Sequence, residues 1–417
     1  MLALIDGNSF YCSCERAFNP RLKGKPVVVL SNNDGCAIAR TLEAKDLGVR
    51  MGEPFHLARQ RPELASVIWK SSNYVLYGDM YRRMYEVLCQ HVAAVEPYSI
   101  DEMFLDLTSV EDPFALAVTV RDAVLKAAKI PTCVGIGPTK TIAKLANAVA
   151  KSDRSGCGVV NLSDAAVRAA HYKELPVGKV WGIGPAAAAK LTARGIGTIA
   201  DFIALADDDI RKLLSVVGLR TAWELRGIVC ASFSEVSPIR KSLAVTRSFG
   251  KPVEGRQELL DAVAAYATRA SEKLRLHGLV ATAMQVFVMT NRFAKTDPQH
   301  VNQVTFDIEP TADTFAMIAS ATQAAHHLWR DGYRYAKAGV VLLDLAPSSA
   351  QPASLFPSRD PVRSTAVMRA LDAVNARYGR GTLRPGAVVS KLRWDMRRSN
   401  VSPRYTSHIG EILRVKA

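Results

Sequence analysis

The sequence predicts a multidomain α+β protein, and three observations carry that reading. Residues 1–165 alternate short apolar runs with stretches of helical period. Residues 166–230 keep only the helical period, with small residues and glycine turns, and residues 240–345 return to a strand–helix–strand–strand–helix–strand order. A chain of 417 residues with 48% hydrophobic content can fill several cores.

In the first segment, 2–5 and 27–30 are apolar runs of buried-strand type, the second introduced by Pro26. Residues 74–92 and 115–128 read as helices, and 99–107 as a turn leading into a strand. Residues 132–136 form a strand and 141–150 a helix, with Thr139 or Thr141 near its start; 158–161 closes the segment as a strand. Strands mixed in this way with helices predict a sheet covered by helices on one face. Beyond 240, strands are expected at 242–249, 281–289, 303–308 and 339–345, with helices at 258–276 and 314–329. Residues 346–361 are rich in Pro, Ser and Ala and read as a linker, followed by a helix at 364–378 and a basic tail.

The formal net charge is +15, and residues 346–417 hold much of it, with 13 Lys and Arg against 4 Asp and Glu. A basic region attached to a near-neutral body points either to a polyanion such as nucleic acid or to a solvated tail. Seven scattered cysteines without paired CxxC units argue against structural zinc and for reduced thiols; Cys12 and Cys14 fall on a helix or strand. The start lacks a signal-peptide pattern and no apolar run is of membrane-spanning length, so a cytoplasmic protein with no membrane partner is expected.

Three acids stand out. Asp6 directly follows the first buried run, and Asp101 and Glu102 are adjacent, ahead of the apolar Met103-Phe104-Leu105. Adjacent residues on a regular strand face opposite ways, so Asp101 and Glu102 share a site only at a turn or strand end; Pro97 and Ser99 permit one. Converging carboxylates attract hard cations such as Mg²⁺. An isolated acidic pair is more often a solvated turn, and the neighbouring motifs decide between the two.

Asp6-Gly7-Asn8-Ser9-Phe10-Tyr11 and Ser99-Ile100-Asp101-Glu102 resemble the two catalytic motifs of Y-family DNA polymerases. Gly24-Lys25-Pro26-Val27-Val28-Val29 and Glu43-Ala44-Lys45-Asp46-Leu47-Gly48-Val49 are similar to the family's finger region. Val134-Gly135-Ile136-Gly137 and Lys140-Thr141-Ile142-Ala143-Lys144 match its later palm segment. The loop Ser31-Asn32-Asn33-Asp34-Gly35-Cys36 and the ending Ser402-Pro403-Arg404-Tyr405-Thr406 resemble the UmuC branch, the catalytic subunit of the SOS-induced polymerase V. The motifs are collinear along the whole chain.

That resemblance implies a right-hand-like polymerase. Residues 1–165 correspond to a ferredoxin-like palm and small fingers (fingers about 12–73), 166–232 to a helix-hairpin-helix thumb, 240–346 to a little-finger DNA-binding domain and 347–417 to a linker and basic partner-binding region. Asp6, Asp101 and Glu102, with the Gly7 carbonyl, would hold two Mg²⁺ ions, Mn²⁺ being a substitute. Phe10, Tyr11, Lys45 and Lys151 would bind the nucleotide, Tyr11 as the gate against a 2′-hydroxyl. Lys45 stands where other branches have a phosphate-binding arginine. Their hydroxyl-bearing partners are replaced here by Ala39 and Leu42, so either Arg40 compensates or triphosphate binding is weaker.

Val180-Trp181-Gly182-Ile183-Gly184 is similar to the family's helix-hairpin-helix, although alone it could equally be a protein-packing hairpin; Gly182 and Gly184 would approach DNA phosphate. Arg240, Lys241, Arg247 and Lys337 are candidate phosphate contacts. Gln351, Leu355 and Phe356 are similar to a sliding-clamp peptide, with the glutamine one residue too far away for the usual form; the alternative is a linker that happens to contain Leu-Phe. The implied partners are primed damaged DNA, deoxynucleoside triphosphates, a processed UmuD-like dimer, the RecA filament and the clamp. The implied function is error-prone translesion synthesis in the bacterial SOS response. The alternatives are a catalytically weak or inactive DNA-binding recruitment subunit and a nucleotidyl cyclase.

Overall fold

The computed structural model describes residues 1–153, 156–234, 240–294, 296–350, 359–388 and 396–412. They form two compact units, Met1–Ser237 with Ser399–Ala417, and Pro238–Arg398.

The first unit begins β1 (Leu2–Gly7), α1 (Phe10–Phe18), β2 (Val27–Leu30), β3 (Ala37–Arg40), α2 (Leu42–Asp46), α3 (Phe55–Ala58), β4 (Ile68–Ser71) and α4 (Tyr74–Cys89). It continues β5 (Val95–Pro97), β6 (Glu102–Asp106), α5 (Pro113–Ala128), β7 (Thr132–Gly137), α6 (Lys140–Ser152) and β8 (Val159–Asn161). The helices α7 (Ala165–Glu174), α8 (Pro185–Thr192), α9 (Ile199–Ala204) and α10 (Asp207–Leu225) follow.

Five strands lie in the order β5-β6-β1-β7-β8, with β1 at the centre and antiparallel to both neighbours. All six residues of β1 are buried. Its odd-numbered side chains Ala3 and Ile5 join Met103, Leu105, Val134 and Ile136 beneath α4 and α5. On the opposite face Leu4 and Phe104 meet Ala143 of α6. The sheet is therefore covered on both faces, not on one as the strand–helix pattern suggested. A strand that is apolar at successive positions needs cover on both sides.

α6 comes close because β7 alternates. Val134 and Ile136 face α4 and α5, while Gly135 and Gly137 face α6. A Cβ on Gly135 would lie 2.0 Å from the Asn147 nitrogen and 2.2 Å from the Ala143 oxygen. Asn147 fastens the same contact, its side-chain amide donating to the carbonyls of Leu4 at 3.3 Å and Cys133 at 2.7 Å. The cap of α6 is Thr139, whose hydroxyl accepts from the Ile142 N–H at 3.2 Å.

A second sheet, β3-β2-β4, pairs β2 antiparallel with β3 and parallel with β4. Its outer strands and α1 lack a clean sequence period. The helix at 74 ends at Cys89, three residues before the apolar pattern does.

The second unit contains β9 (Ser242–Val253), α11 (Arg256–Leu276), β10 (Leu279–Thr290), β11 (Val301–Thr311), α12 (Thr314–Leu328), β12 (Tyr335–Pro347) and α13 (Pro361–Tyr378). The expected βαββαβ order is present. Its sheet runs β11-β10-β12-β9, antiparallel throughout. α11 and α12 cover one face through Leu259, Ala267, Met317 and Ala325 against Val286, Val340 and Leu342. α13 is tied to α11 by Arg275, whose Nε and Nη2 each reach a different oxygen of Asp372 at 2.7 Å. Among the described residues no helix is long and apolar enough to cross a membrane.

The backbone of α6 leaves no room for a methyl group at Gly135. Gly135→Ala should destabilise the first unit by about 3 kcal/mol, near the upper end of ordinary overpacking penalties. A denaturant midpoint within error of the parent would show that α6 does not depend on that close approach.

Candidate active site

Asp6 lies one residue from the end of β1, in register with Glu102 on β6 and Cys133 on β7. Glu102 is the first residue of β6 and Asp101 the residue before it, so the adjacent acids sit at a strand end. Ser99 builds the turn. Its hydroxyl donates to Asp101 Oδ1 at 2.5 Å and accepts from the N–H groups of Asp101 at 3.2 Å and Glu102 at 3.0 Å. The Gly7 N–H donates to the Asp101 carbonyl at 2.9 Å and locks the two motifs together.

The three acids do not share one environment. Asp6 and Asp101 line a cavity of about 490 Å³. The Glu102 carboxylate turns to Lys144 on α6, with Oε2 accepting at 2.9 Å. The Lys144 ammonium also lies over the rings of Tyr98, at 4.3 Å, and Trp181, at 5.3 Å. Among the described residues no group of three or more His, Cys, Asp or Glu side chains is placed to hold a metal ion.

Asp6 is 5% exposed. Burial pushes its carboxyl up to about 7, and the charges of Asp101 and Glu102 add to the rise, while Lys151 opposes it. Lys151, in the last turn of α6, places its ammonium directly on Asp6 Oδ2. A buried carboxylate that needs a cation, beside a second acid in the same cavity, is a donor set of the kind hard divalent ions take. Asp6 would be open to such an ion once Lys151 leaves it, and Glu102 once it leaves Lys144.

The cavity's other wall comes from α1, α2, β3 and α4. Ser9 adopts a left-handed φ of 47° at the start of α1, and its hydroxyl donates to the Arg40 carbonyl at 2.7 Å. Phe10 is buried beneath Gly7, where a Cβ would come within 2.8 Å of its ring. Tyr11 lines the cavity together with Tyr74, Ala39, Arg40 and Lys45. Its ring stacks on Tyr77 at 4.5 Å and 18°. Arg40 donates from Nη1 to the Val49 carbonyl at 2.7 Å, while its buried Nε has no hydrogen-bond partner. Leu42 is exposed and is not part of the wall.

The remaining candidates are more dispersed. Gly182 has a φ of 91°, and Gly184 caps α8. Arg240 and Lys241 are exposed just before β9. Arg247 pairs in register with the buried Ala338, so it shares the face covered by helices. Lys337 points the other way, its ammonium 5.6 Å from the Phe287 ring centre. The structure thus does not bring Arg247 and Lys337 to one surface. Gln351, Leu355 and Phe356 lie outside the described residues. The turn expected at Ser99 is present, whereas sequence reasoning missed the ring of Tyr77 and the company Trp181 keeps with Lys144. Ser99 carried a signal, a hydroxyl two residues before an acidic pair, and Tyr77 and Trp181 carried none.

The fold is that of the Y-family DNA polymerases. It is similar to a Y-family DNA polymerase chimera of Dbh and Dpo4, with a TM-score of 0.64 and 23% identity, covering 82% of this chain and 98% of that one. Residues 5–148 match the impB/mucB/samB family, residues 240–355 match that family's C-terminal domain, and residues 365–415 match a domain of unknown function. The chain is 42% identical to protein UmuC of Salmonella typhimurium strain LT2, covering 100% of both, and 41% identical to protein ImpB of Salmonella typhimurium, covering 98% of this chain and 97% of that one. It belongs to the impB/mucB/samB family.

The state of Asp6 yields a test that needs no catalysis. The fold holds the Asp6 proton more tightly than the unfolded chain does, so this group's contribution is fullest below 3.8 and is lost as pH rises through about 7. In a chelator, Asp6→Asn should therefore melt higher than the parent near about pH 8, with the gap closing near about pH 5. A variant that melts lower at the higher pH would mean that the Lys151 pair outweighs burial.

Proposed function

We propose that the chain is an error-prone DNA polymerase that extends primers across damaged template in the bacterial SOS response. The observation that carries this reading is the cavity whose one wall holds Asp6, Asp101 and Lys151 and whose other wall holds Tyr11, Arg40 and Lys45. Acids together with three cations in one lining suit a nucleotide triphosphate entering with its metal, and the aromatic ring of Tyr11 in that lining suits a sugar.

Asp6, Asp101, Glu102 and the Gly7 carbonyl would hold two divalent ions, Mg²⁺ with Mn²⁺ as a substitute. When bound, these supply a lowered pKa at the primer 3′-hydroxyl and charge neutralisation at the leaving pyrophosphate. The protein's own work is positional. Lys151, displaced from Asp6, reaches the triphosphate, and Arg40 brings a guanidinium whose Nε has no other partner. That arginine answers the loss of hydroxyl partners at Ala39 and Leu42. Lys144 holds Glu102 aside, and Glu102 released from that pair would be free to serve as a ligand. Tyr11 packs against the deoxyribose and leaves a 2′-hydroxyl without room or partner.

By the same reading, residues 1–165 are palm and fingers, 166–232 thumb, 240–346 little finger and 347–417 a partner-binding region. Gly182 and Gly184 approach primed DNA, and Arg240, Lys241, Arg247 and Lys337 contribute phosphate contacts from two faces rather than one. The proposed partners are a processed UmuD-like dimer, the RecA filament and the sliding clamp, in the cytoplasm beside the nucleoid.

Primer extension is the direct test. Asp101→Asn should lower nucleotide addition at least about a thousandfold while leaving primed-DNA binding within about twofold, because a lost anionic ligand acts where charge develops. Extension near the parental rate would overturn the assignment. Leu355→Ala combined with Phe356→Ala should abolish stimulation by the clamp and spare unstimulated synthesis. Stimulation equal to the parent's would reject the clamp peptide.

A further inference from the structure

The ring of Tyr11 rests on Tyr77, and Tyr77 is fixed through Glu15, 62 residues before it, whose other side-chain partner, Ser402, lies 387 residues further along the chain. Tyr77 is 0% exposed, and Tyr74 closes the stack edge-on, 5.9 Å from Tyr11. The Tyr77 hydroxyl donates to Glu15 Oε1 at 2.8 Å. Glu15 lies one turn beyond Tyr11 on the same face of α1 and is 1% exposed. Burial raises its carboxyl; the opposing influences are the hydroxyls of Tyr77 and Ser402 and the more distant charge of Lys70. The Ser402 hydroxyl donates to the same Glu15 oxygen at 3.0 Å. A buried carboxylate is tolerated only when donors satisfy it, so the placement of Tyr77 and that of Ser402 depend on one another through Glu15.

Ser402 is itself held firmly. Asn73 caps α4 by accepting from the Leu76 N–H, and its amide donates to Ser402 Oγ at 3.0 Å and to the carbonyls of Ser402 at 3.4 Å and Pro403 at 3.3 Å. Upstream, the Ser71 N–H donates to the Asn400 carbonyl at 3.1 Å, and the Asn400 N–H returns to Ser71 Oγ at 2.9 Å. Downstream, the Tyr405 ring stacks on Phe18, the last residue of α1, at 5.0 Å and 6°. Residues 399–405 thus staple α1 to the start of α4, with attachments on both sides of Glu15.

We infer that this C-terminal strap, through Ser402, Glu15 and Tyr77, sets the position of Tyr11 and so tunes discrimination against ribonucleotides. It gives a role to part of the segment that matches a domain of unknown function. Tyr77, Glu15 and Ser402 are positioning residues; none of them lines the cavity. The inference rests on reading Tyr11 as the sugar gate. Without the strap, the floor under Tyr11 is free to shift, and a ring that moves by a fraction of an ångström admits a hydroxyl.

The test is single-nucleotide insertion by the full-length chain under conditions in which the parent extends primers. The ratio of deoxynucleotide to ribonucleotide kcat/KM is read opposite one template base. Ser402→Ala and Tyr77→Phe should each lower that ratio roughly tenfold, the weight of about one hydrogen bond to a charged group, and Ser402→Thr should restore most of it. A merely structural strap would lower the melting temperature and leave the ratio unchanged. Should Ser402→Ala fail to fold, Tyr77→Phe, which keeps the ring and its burial, carries the test. Tyr11→Ala serves as the reference. If it loses discrimination while both Ser402→Ala and Tyr77→Phe keep the parental ratio, the strap inference is wrong and the gate stands. If Tyr11→Ala itself discriminates as the parent does, the gate reading fails and the strap inference falls with it.

Discussion

A carboxylate at the end of a central, fully buried strand must be compensated, and much of the first unit is arranged around that requirement. Asp6 cannot be solvated where it stands, so positive charge has to be brought to it. α6 brings it. Lys144 and Lys151 lie seven residues apart, two turns along one face of that helix, and they pair with Glu102 and Asp6 respectively. The pairing depends on how closely α6 lies on the sheet, which in turn depends on two glycines of β7 having no side chains. A backbone feature on one strand thereby fixes the electrostatics at the end of another.

The same arrangement explains why the acids are not gathered. Anions brought to one point repel, and here Glu102 and Asp6 are held on different ammonium groups, Lys144 and Lys151. Tyr98 and Trp181 keep Lys144 in place through their ring faces, so the resting position of Glu102 is shared with the hairpin at residues 180–184.

Much of the fold was legible because its core strands are short and uniformly apolar. The runs at 2–5, 27–30 and 132–136 became β1, β2 and β7, and the βαββαβ order of the second unit followed from alternating periods. Less legible were elements whose residues serve two environments. β3 carries Ile38 and Arg40 toward the cavity, and α1 combines cysteines, aromatics and a buried glutamate, so neither shows a clean period. Among site residues, the acids and Tyr11 could be located by motif, whereas Tyr77 looked like one aromatic among several on an amphipathic helix. Long-range partners such as Ser402 leave no local trace. The facing of Arg247 and Lys337 was also hidden, because it depends on strand register rather than on the charge of either residue.

The attachment of residues 399–405 has a consequence for biosynthesis. During translation Glu15 of α1 emerges 387 residues before Ser402, the donor that completes its hydrogen bonding. Until then, the carboxylate beneath the Tyr11 platform has only the Tyr77 hydroxyl, Lys70 being more distant. A nascent or prematurely terminated chain therefore carries the acids of the cavity without the finished floor. The floor under Tyr11 is finished only once residues 399–405 have been made.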